Sequence, residues 1–327
     1  MFLLCWENNK MKLVILQNSL IMNYTENALN ILTVRAFPQK GPAWIHKNLK
    51  GSESIDTLCR LLETHEFEFR KTRDRIRMAI EKLEDSIDGV VALGDSNFPQ
   101  IRGNVKAADK PFALFYKGNL DLLQKENLNV AVIGVLNPDE KVELTETIVT
   151  KEILNYDATI VSGLALGCDS IAHKTALDNG GKTIAILPCS LNSIIPKENI
   201  DLANRIVGQG GLLISEYYEG PKSKNDMISR FVVRDRLQAL YSDAILLAAS
   251  YAPNNLGLDS GSRHAMGKAK DYGIKRAVIY NETKHKGNPM YDLNRQILRE
   301  DNTVIRIDSV NMNEEVKRLV SYSPTLF

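Results

Sequence analysis

From residue 88 onward, short apolar runs alternate with segments of helical periodicity. Eight runs rich in Val, Ile and Leu predict β-strands at residues 90–93, 112–116, 130–133, 159–162, 183–187, 212–215, 245–249 and 277–280. Runs that are apolar at every position are typical of a sheet covered on both faces. Helical segments between such runs indicate right-handed crossovers. The pattern predicts an α/β fold with a doubly wound, mainly parallel sheet over residues 88–308.

The first third of the chain shows helical periodicity instead, interrupted by turns that contain Pro and Gly. It predicts helices at residues 25–34, 44–49, 54–65 and 71–83,. We therefore expect a small helical domain over residues 22–87. For residues 1–21 we expect a disordered extension, with an edge strand at residues 12–16 as the alternative, and for residues 309–327 a C-terminal tail.

Composition narrows the class of protein without naming a ligand. Of the 327 residues, 44% are hydrophobic and 25% are charged, which excludes a disordered chain or a coiled coil over most of the length,. The net charge is only +1, so any contact with nucleic acid must come from local patches,. One such stripe, at residues 70–77, either faces phosphate or is a solvated helix face, and we favour the second interpretation.

The cysteines and the apolar runs predict the compartment. The four cysteines are far apart and never form a CxxC pair, so the sequence supports neither a zinc site nor a disulfide framework,. No apolar run approaches the roughly 20 residues that a membrane span needs. We expect a cytoplasmic protein with no membrane partner, no metal and no cofactor.

Candidate chemistry lies in the loops beyond the carboxyl ends of the strands, where parallel sheets bind ligands. The loop after residues 130–133 contains only Gly134, so it lacks the dinucleotide fingerprint,. The loop that begins at Ser162 and Gly163 also contains Gly167, and glycines allow close backbone approach,. Its N–H groups predict a phosphate or anion site.

Asp169 and His173 lie four residues apart and hence on one face of the following helix,. They are either an acid/base or metal-binding pair, or a helix cap and a hydrogen-bonded, partly buried histidine. We favour the second interpretation and assign no catalytic residue.

Basic and small residues in two later loops extend the predicted site. They are Lys222, Arg230, Arg234, Arg236, Ser260, Gly261, Ser262 and Lys268. If these loops face the same rim, they form a groove for a polyanion, because several spaced phosphate contacts allow a nearly neutral protein to hold a strand.

Residues 162–177, SGLALGCDSIAHKTAL, match the signature SGLAxGxDxxAHxxAL. With the segments around residues 98–118, 181–187, 195–199, 211–217 and 231–236, the chain resembles the DNA-processing protein A (DprA, Smf) family of bacterial transformation proteins. The resemblance implies a Rossmann-like core of the SLOG superfamily and a helical N-terminal domain of the SAM or helix-hairpin-helix type. It also implies a non-enzymatic, homodimeric protein that binds single-stranded DNA and assists RecA recombinase in DNA uptake or recombination.

The sequence departs from the family pattern at the predicted rim. Val135 and Leu136 replace an expected Ser and Arg, Leu166 occupies a usually basic position, and Asp235 lies between Arg234 and Arg236. Fewer positive charges at the rim weaken binding to a polyanion.

Two alternatives therefore stay open. One is an enzyme or sensor for a small nucleotide on the same scaffold, in which Asp169, His173 or Glu216 acts as the base. The other is a scaffold that binds a partner protein and no longer uses the crevice.

Overall fold

The computed structural model describes residues 3–7, 10–14, 23–253 and 261–321. Its strands are β1 (Leu3–Glu7), β2 (Lys10–Val14), β3 (Asn23–Tyr24), β4 (Gly89–Ala92), β5 (Ala113–Gly118), β6 (Asn129–Ile133), β7 (Thr159–Ser162), β8 (Thr183–Leu187), β9 (Leu212–Ser215), β10 (Ala244–Leu247), β11 (Lys275–Ile279) and β12 (Ile305–Ile307). Its α-helices are α1 (Glu26–Arg35), α2 (Pro42–Asn48), α3 (Ile55–Leu62), α4 (Glu66–Glu81), α5 (Glu140–Leu154), α6 (Cys168–Asp178), α7 (Ile200–Gly208), α8 (Lys224–Leu240), α9 (Ser262–Tyr272), α10 (Asp292–Glu300) and α11 (Met312–Val320). None of these helices is long and apolar enough to cross a bilayer.

Ten strands form the main sheet, in the order β12-β11-β10-β6-β7-β8-β9-β5-β4-β3. Strand β5 runs antiparallel to both of its neighbours, and the other neighbouring pairs are parallel. From β6 the chain adds strands in one direction as far as β9 and then returns to β10 on the other side of β6. This reversal confirms the predicted α/β, doubly wound and mainly parallel fold. It also places the topological switch point between β6 and β10.

The central strands are buried because helices cover the sheet on both faces. Every residue of β6, β7, β8 and β9 is buried. Their apolar side chains divide between two large hydrophobic clusters. Burial on both faces explains why these strands are apolar at every position instead of at alternate ones.

The four N-terminal helices pack into the same core as the sheet. Leu29 and Ile45 of these helices belong to one cluster with Phe115 of β5 and Leu213 of β9. The helical region predicted at residues 22–87 thus shares its core with the α/β region, and the boundary at residue 87 stays a prediction.

Both ends of the chain contain secondary structure. Strands β1 and β2 pair as an antiparallel hairpin, and β2 overlaps the strand predicted at residues 12–16 as the alternative to disorder. The rest of residues 1–21 lies outside the described residues. In the predicted tail, Val316 and Leu319 of α11 are fully buried, because their spacing of three places both on the core side of the helix,.

Candidate functional site

The carboxyl ends of β6, β7 and β10 meet at the switch point. Gly134 follows β6 there, and a Cβ atom on it would lie 2.5 Å from Cys168 Sγ. The Ser262 hydroxyl donates a hydrogen bond to the Gly134 carbonyl oxygen, 3.1 Å away. The start of α9, with Gly261 directly before it, is thereby fixed against the loop after β6. Ser260 lies outside the described residues.

The loop between β7 and α6 is closed by its own side chains. The Ser162 hydroxyl donates to the Val132 carbonyl oxygen at 2.7 Å and ties β7 to β6. The backbone N–H groups of Gly163 and Ala165 donate to Asp169 Oδ2 at 3.1 and 3.2 Å. In this conformation the Gly163 N–H that we predicted to face an anion is therefore bonded to a carboxylate of the protein.

Asp169 is not a helix cap, which corrects the expectation from the sequence. The N-cap of α6 is Gly167, and Asp169 lies in the first turn of the helix. Its carboxylate bonds backward to the loop because the unusual conformation of Gly167, with φ 71° and ψ −129°, folds the loop over the helix end. Burial raises the pKa of Asp169, and the nearby Arg234 guanidinium opposes that shift.

Arg234 lies inside the protein and not on the rim. Its side chain is 6% exposed, and Nη1 lies 3.8 Å from Asp169 Oδ2. A Cβ atom on Gly163 would lie 1.2 Å from the same nitrogen, so glycine at this position makes room for the guanidinium. Asp235 Oδ1 lies 3.4 Å from Arg234 Nε. Burial raises the pKa of Asp235 to about 7, with Arg234 opposing and Asp169 reinforcing the shift.

Arg236 is also buried, in a two-pronged ion pair with Glu216. Its Nη1 and Nη2 lie 2.8 and 2.7 Å from the two carboxylate oxygens, and both side chains are below 10% exposed. Further donors of Arg236 reach the carbonyl oxygens of Asp109 and Val233. The expected pair of rim arginines is thus a pair of internal arginines, because this part of α8 packs against the body of the protein.

Of the remaining predicted cations, Lys222 and Lys268 are closer to solvent, whereas Arg230 is buried like Arg234 and Arg236. Arg230 lies over the ring of Tyr217, 4.2 Å from its centroid, and donates to two carbonyl oxygens of residues 219 and 220. Lys268 pairs with Asp109 Oδ2 at 2.8 Å and is 34% exposed. Lys222 is exposed. The departures at Leu136 and Leu166 are exposed as expected, at 54% and 41%. The rim therefore combines few free cations with apolar side chains.

Sequence reasoning missed Asp109, which connects several of these groups. Its carboxylate accepts hydrogen bonds from Lys268 and from the Tyr272 hydroxyl, at 2.8 and 3.0 Å. These partners are more than 100 residues away in the chain, and the residues around Asp109 form no periodic pattern. A local signal for its role is therefore absent from the sequence.

His173 is a buried, neutral histidine. Its Nδ1 lies 2.6 Å from Thr183 Oγ1, which donates its own proton to the Ile160 carbonyl oxygen. Nδ1 therefore carries the ring proton, and Nε2 has no hydrogen-bond partner among the residues that the structure describes. Burial, reinforced by the Arg234 charge, lowers the pKa of His173 to about 3. The position of His173 is therefore explained by packing and one hydrogen bond, without a role as a metal ligand or as a general base at neutral pH.

This neutral histidine predicts a specific loss of stability in acid. An unfolded chain binds a proton at His173 below its ordinary pKa of 6.5, whereas the folded protein binds it only near pH 3. The free energy of unfolding should therefore fall between these values by up to about 1.4 kcal/mol per pH unit. His173→Asn keeps a donor toward Thr183 and removes the titration. In urea unfolding from pH 7.5 to 4.5, we expect the stability gap between wild type and variant to narrow; a constant gap would contradict the assignment.

Comparisons with known proteins show the family of the chain. The family model described as DNA recombination-mediator protein A matches residues 89–305. Protein Smf of Borreliella burgdorferi is 33% identical over 184 residues, which are 53% of this chain and 54% of that protein. The DNA processing protein DprA of Streptococcus pneumoniae is 39% identical over 141 residues, which are 43% of this chain and 47% of that protein. The chain thus spans about half the length of these curated relatives.

Two solved structures share the fold. The X-ray structure of DprA from Streptococcus pneumoniae superposes with a TM-score of 0.68 at 24% identity and covers 92% of this chain and 100% of that chain. A DprA structure from Helicobacter pylori, described as showing a single-stranded DNA binding mode, has a TM-score of 0.56 at 28% identity and covers 70% of this chain and 95% of that chain. Since the family model extends over more than half of the sequence, the chain belongs to the DNA recombination-mediator protein A family.

Proposed function

We propose that this protein binds single-stranded DNA along the carboxyl edge of its sheet and acts in DNA recombination without catalysing a reaction. The proposal rests on one observation, the loop at residues 162–167 at the switch point. The residues of this loop belong to the family signature, and hydrogen bonds to Asp169 hold the loop closed. The described binding mode of the Helicobacter pylori relative supports it. As finer proposals we add a homodimer, cooperation with RecA recombinase, a role in transformation and a place in the cytoplasm.

The buried acids and the histidine argue against the small-nucleotide enzyme. Asp169 bonds to the loop, His173 is neutral with a pKa of about 3, and Glu216 is held by Arg236. A general base must reach the proton that it removes. Asp169 and Glu216 could accept a proton from a substrate only after breaking a buried interaction. His173 Nε2 has no partner among the described residues, but the side chain is fully buried and out of reach of a substrate.

The rim also suggests how a strand would be held. Leu136 and Leu166 offer apolar contact to bases, whereas exposed cations such as Lys222 offer contact to phosphates. Because Arg234 and Arg236 face inward, we expect fewer phosphate contacts, and hence a weaker salt dependence, than the sequence alone predicts. The carboxylates Asp169 and Glu216 keep those arginines in place.

Lys222 provides the test of this proposal. For Lys222→Ala we expect weaker binding of a labelled dT30 oligonucleotide and a logarithmic salt slope that is smaller by about 0.7, the value for one lost contact with a single strand. Fluorescence anisotropy across a salt series, with a duplex of equal length for comparison, measures both.

The matched control is Lys151→Ala. Lys151 is an exposed lysine in the last turn of α5, just before β7 begins. It therefore lies near the amino ends of the strands, on the side opposite to the proposed interface. Lys151→Ala should leave the affinity for dT30 and the salt slope of binding unchanged. Equal effects of the two variants, or no binding of dT30 by the wild type, would refute the proposed interface.

A further inference from the structure

A cleft of about 590 Å³ lies between the N-terminal helices and the chain that follows β9. Arg35 at the end of α1 and Arg75 in α4 line one side. The other side is formed by the segment from β9 into α8, which contributes Tyr217, Tyr218, Lys222 and Arg230. The cleft therefore joins the helical region to the predicted rim.

The charge in this cleft is positive. Five basic and three acidic side chains line it. Two of the acids are matched, because Glu216 pairs with Arg236 and Asp226 pairs with Arg230. Arg35 and Arg75 are exposed and have no ion pair or side-chain hydrogen bond within the described part of the chain. An anion entering here would meet cations whose charge no protein carboxylate has already neutralised.

Arg75 differs in this respect from the other arginines of the basic stripe on α4. Those are paired with acids of the described residues, as Arg70–Glu66, Arg73–Glu26 and Arg77–Asp74. Arg75 instead lines the cleft together with Arg35 and Tyr218. Burial raises the pKa of that tyrosine, Glu219 adds to the shift, and the two arginine charges oppose it. Two arginines 40 positions apart in the chain thus line one cleft with this tyrosine.

Aromatic rings lie beside these cations in fixed positions. The Tyr217 ring is covered on one side by the Arg230 guanidinium. The Tyr218 ring packs against Phe115, with 5.6 Å between the ring centroids. Both tyrosines are half-buried and line the cleft. Cations next to aromatic rings are the combination that binds the phosphate and the base of a nucleotide.

We propose that this cleft binds a nucleotide unit of the single strand, with its phosphate between Arg35 and Arg75 and its base against Tyr218. This inference rests on the proposed function and extends the interface from Lys222 onto the N-terminal helices. The helical region then contributes to DNA binding as well as to packing. A free nucleotide offers the same chemistry, so the experiment must separate the two sources.

The test compares two double variants that remove the same charge. Arg35→Ala/Arg75→Ala changes the cleft, whereas Arg60→Ala/Arg70→Ala removes two exposed arginines of α3 and α4 that do not line it. Thermal unfolding first checks that both fold. For the cleft variant we expect about tenfold weaker dT30 binding at low salt and a slope smaller by about 1.4, the value for two contacts. The control variant should bind like wild type, and Arg35→Lys/Arg75→Lys should retain most of the affinity.

Each other outcome has its own meaning. If the cleft variant binds dT30 like wild type while the wild type binds well, the cleft proposal is overturned and the proposed function stands. Equal weakening by both double variants would also overturn it, because bulk charge would explain the loss. If dTMP binds the wild type at micromolar concentration and the cleft variant loses only that binding, the ligand is a free nucleotide and the strand assignment fails. If the wild type binds no oligonucleotide, both proposals fail.

Discussion

Replacing Gly167 with Ala is expected to destabilise the protein by about 3 kcal/mol or more. At φ 71° and ψ −129°, Gly167 occupies a region that residues with a Cβ atom rarely adopt. A Cβ atom would also lie 2.4 Å from the carbonyl oxygens of both Val135 and Leu136. Backbone atoms cannot move away as a flexible side chain can, so the loop after β6 and the start of α6 must separate.

Thermal and urea unfolding test this expectation. A loss of about 3 kcal/mol corresponds to a fall in Tm of roughly 4 to 5 °C in a chain of 327 residues,. Gly180→Ala is the matched control, since Gly180 also has a positive φ, of 73°, but has no atom near the position of a new Cβ. Its loss should be limited to the backbone strain of about 1 kcal/mol. Equal losses in the two variants would show that the close approach to the loop after β6 adds nothing.

Replacing Gly167 should also affect DNA binding, because the backbone conformation of Gly167 determines the shape of the loop at residues 162–167 on which the proposed function rests. When the loop opens, the Gly163 N–H loses its alignment with Asp169. At a temperature where the variant is still folded, dT30 binding should weaken while the Gly180 variant binds normally. If the destabilised Gly167 variant bound dT30 as well as wild type, the loop would not be part of the DNA interface.

The central strands could be predicted because burial on both faces leaves a direct trace in the sequence. The predicted bounds of β7, β8 and β9 agree with the structure residue for residue. Strand direction leaves no such trace. The apolar run at β5 looks like the others, yet β5 pairs antiparallel with β9. Its direction follows from the connections that flank it, which periodicity does not report.

The site residues were harder, because motif positions do not show where side chains point. The sequence predicts rim contacts at Arg234 and Arg236, but both side chains turn inward to carboxylates. Glu216 is 20 positions from Arg236 in the chain, and Asp169 is still farther from Arg234. Such pairs form only when separate elements pack together. His173 is easier to predict, since its interpretation as a hydrogen-bonded, partly buried residue needs only its own helix and the neighbouring strand; the structure buries it fully.

Removing one member of the Arg236–Glu216 pair is expected to cost about 3–5 kcal/mol, since it leaves a buried charge without its partner. Arg236→Ala should therefore unfold at much lower urea concentration than wild type. Replacing both residues together, as Glu216→Leu/Arg236→Met, should recover most of the loss, because apolar side chains of similar volume do not require the ion pair.

The same pair separates a structural arginine from a phosphate ligand. If Arg236 held a phosphate, Glu216→Leu/Arg236→Met would bind dT30 with a salt slope smaller by about 0.7. Because both guanidinium branches of Arg236 already bond to Glu216, we expect the slope of this folded double variant to equal that of wild type. Lys222→Ala, measured in parallel, supplies the slope change of a true contact. A reduced slope in the double variant would mean that Arg236 leaves Glu216 when DNA binds, and the buried pair would then be a switch that the strand opens.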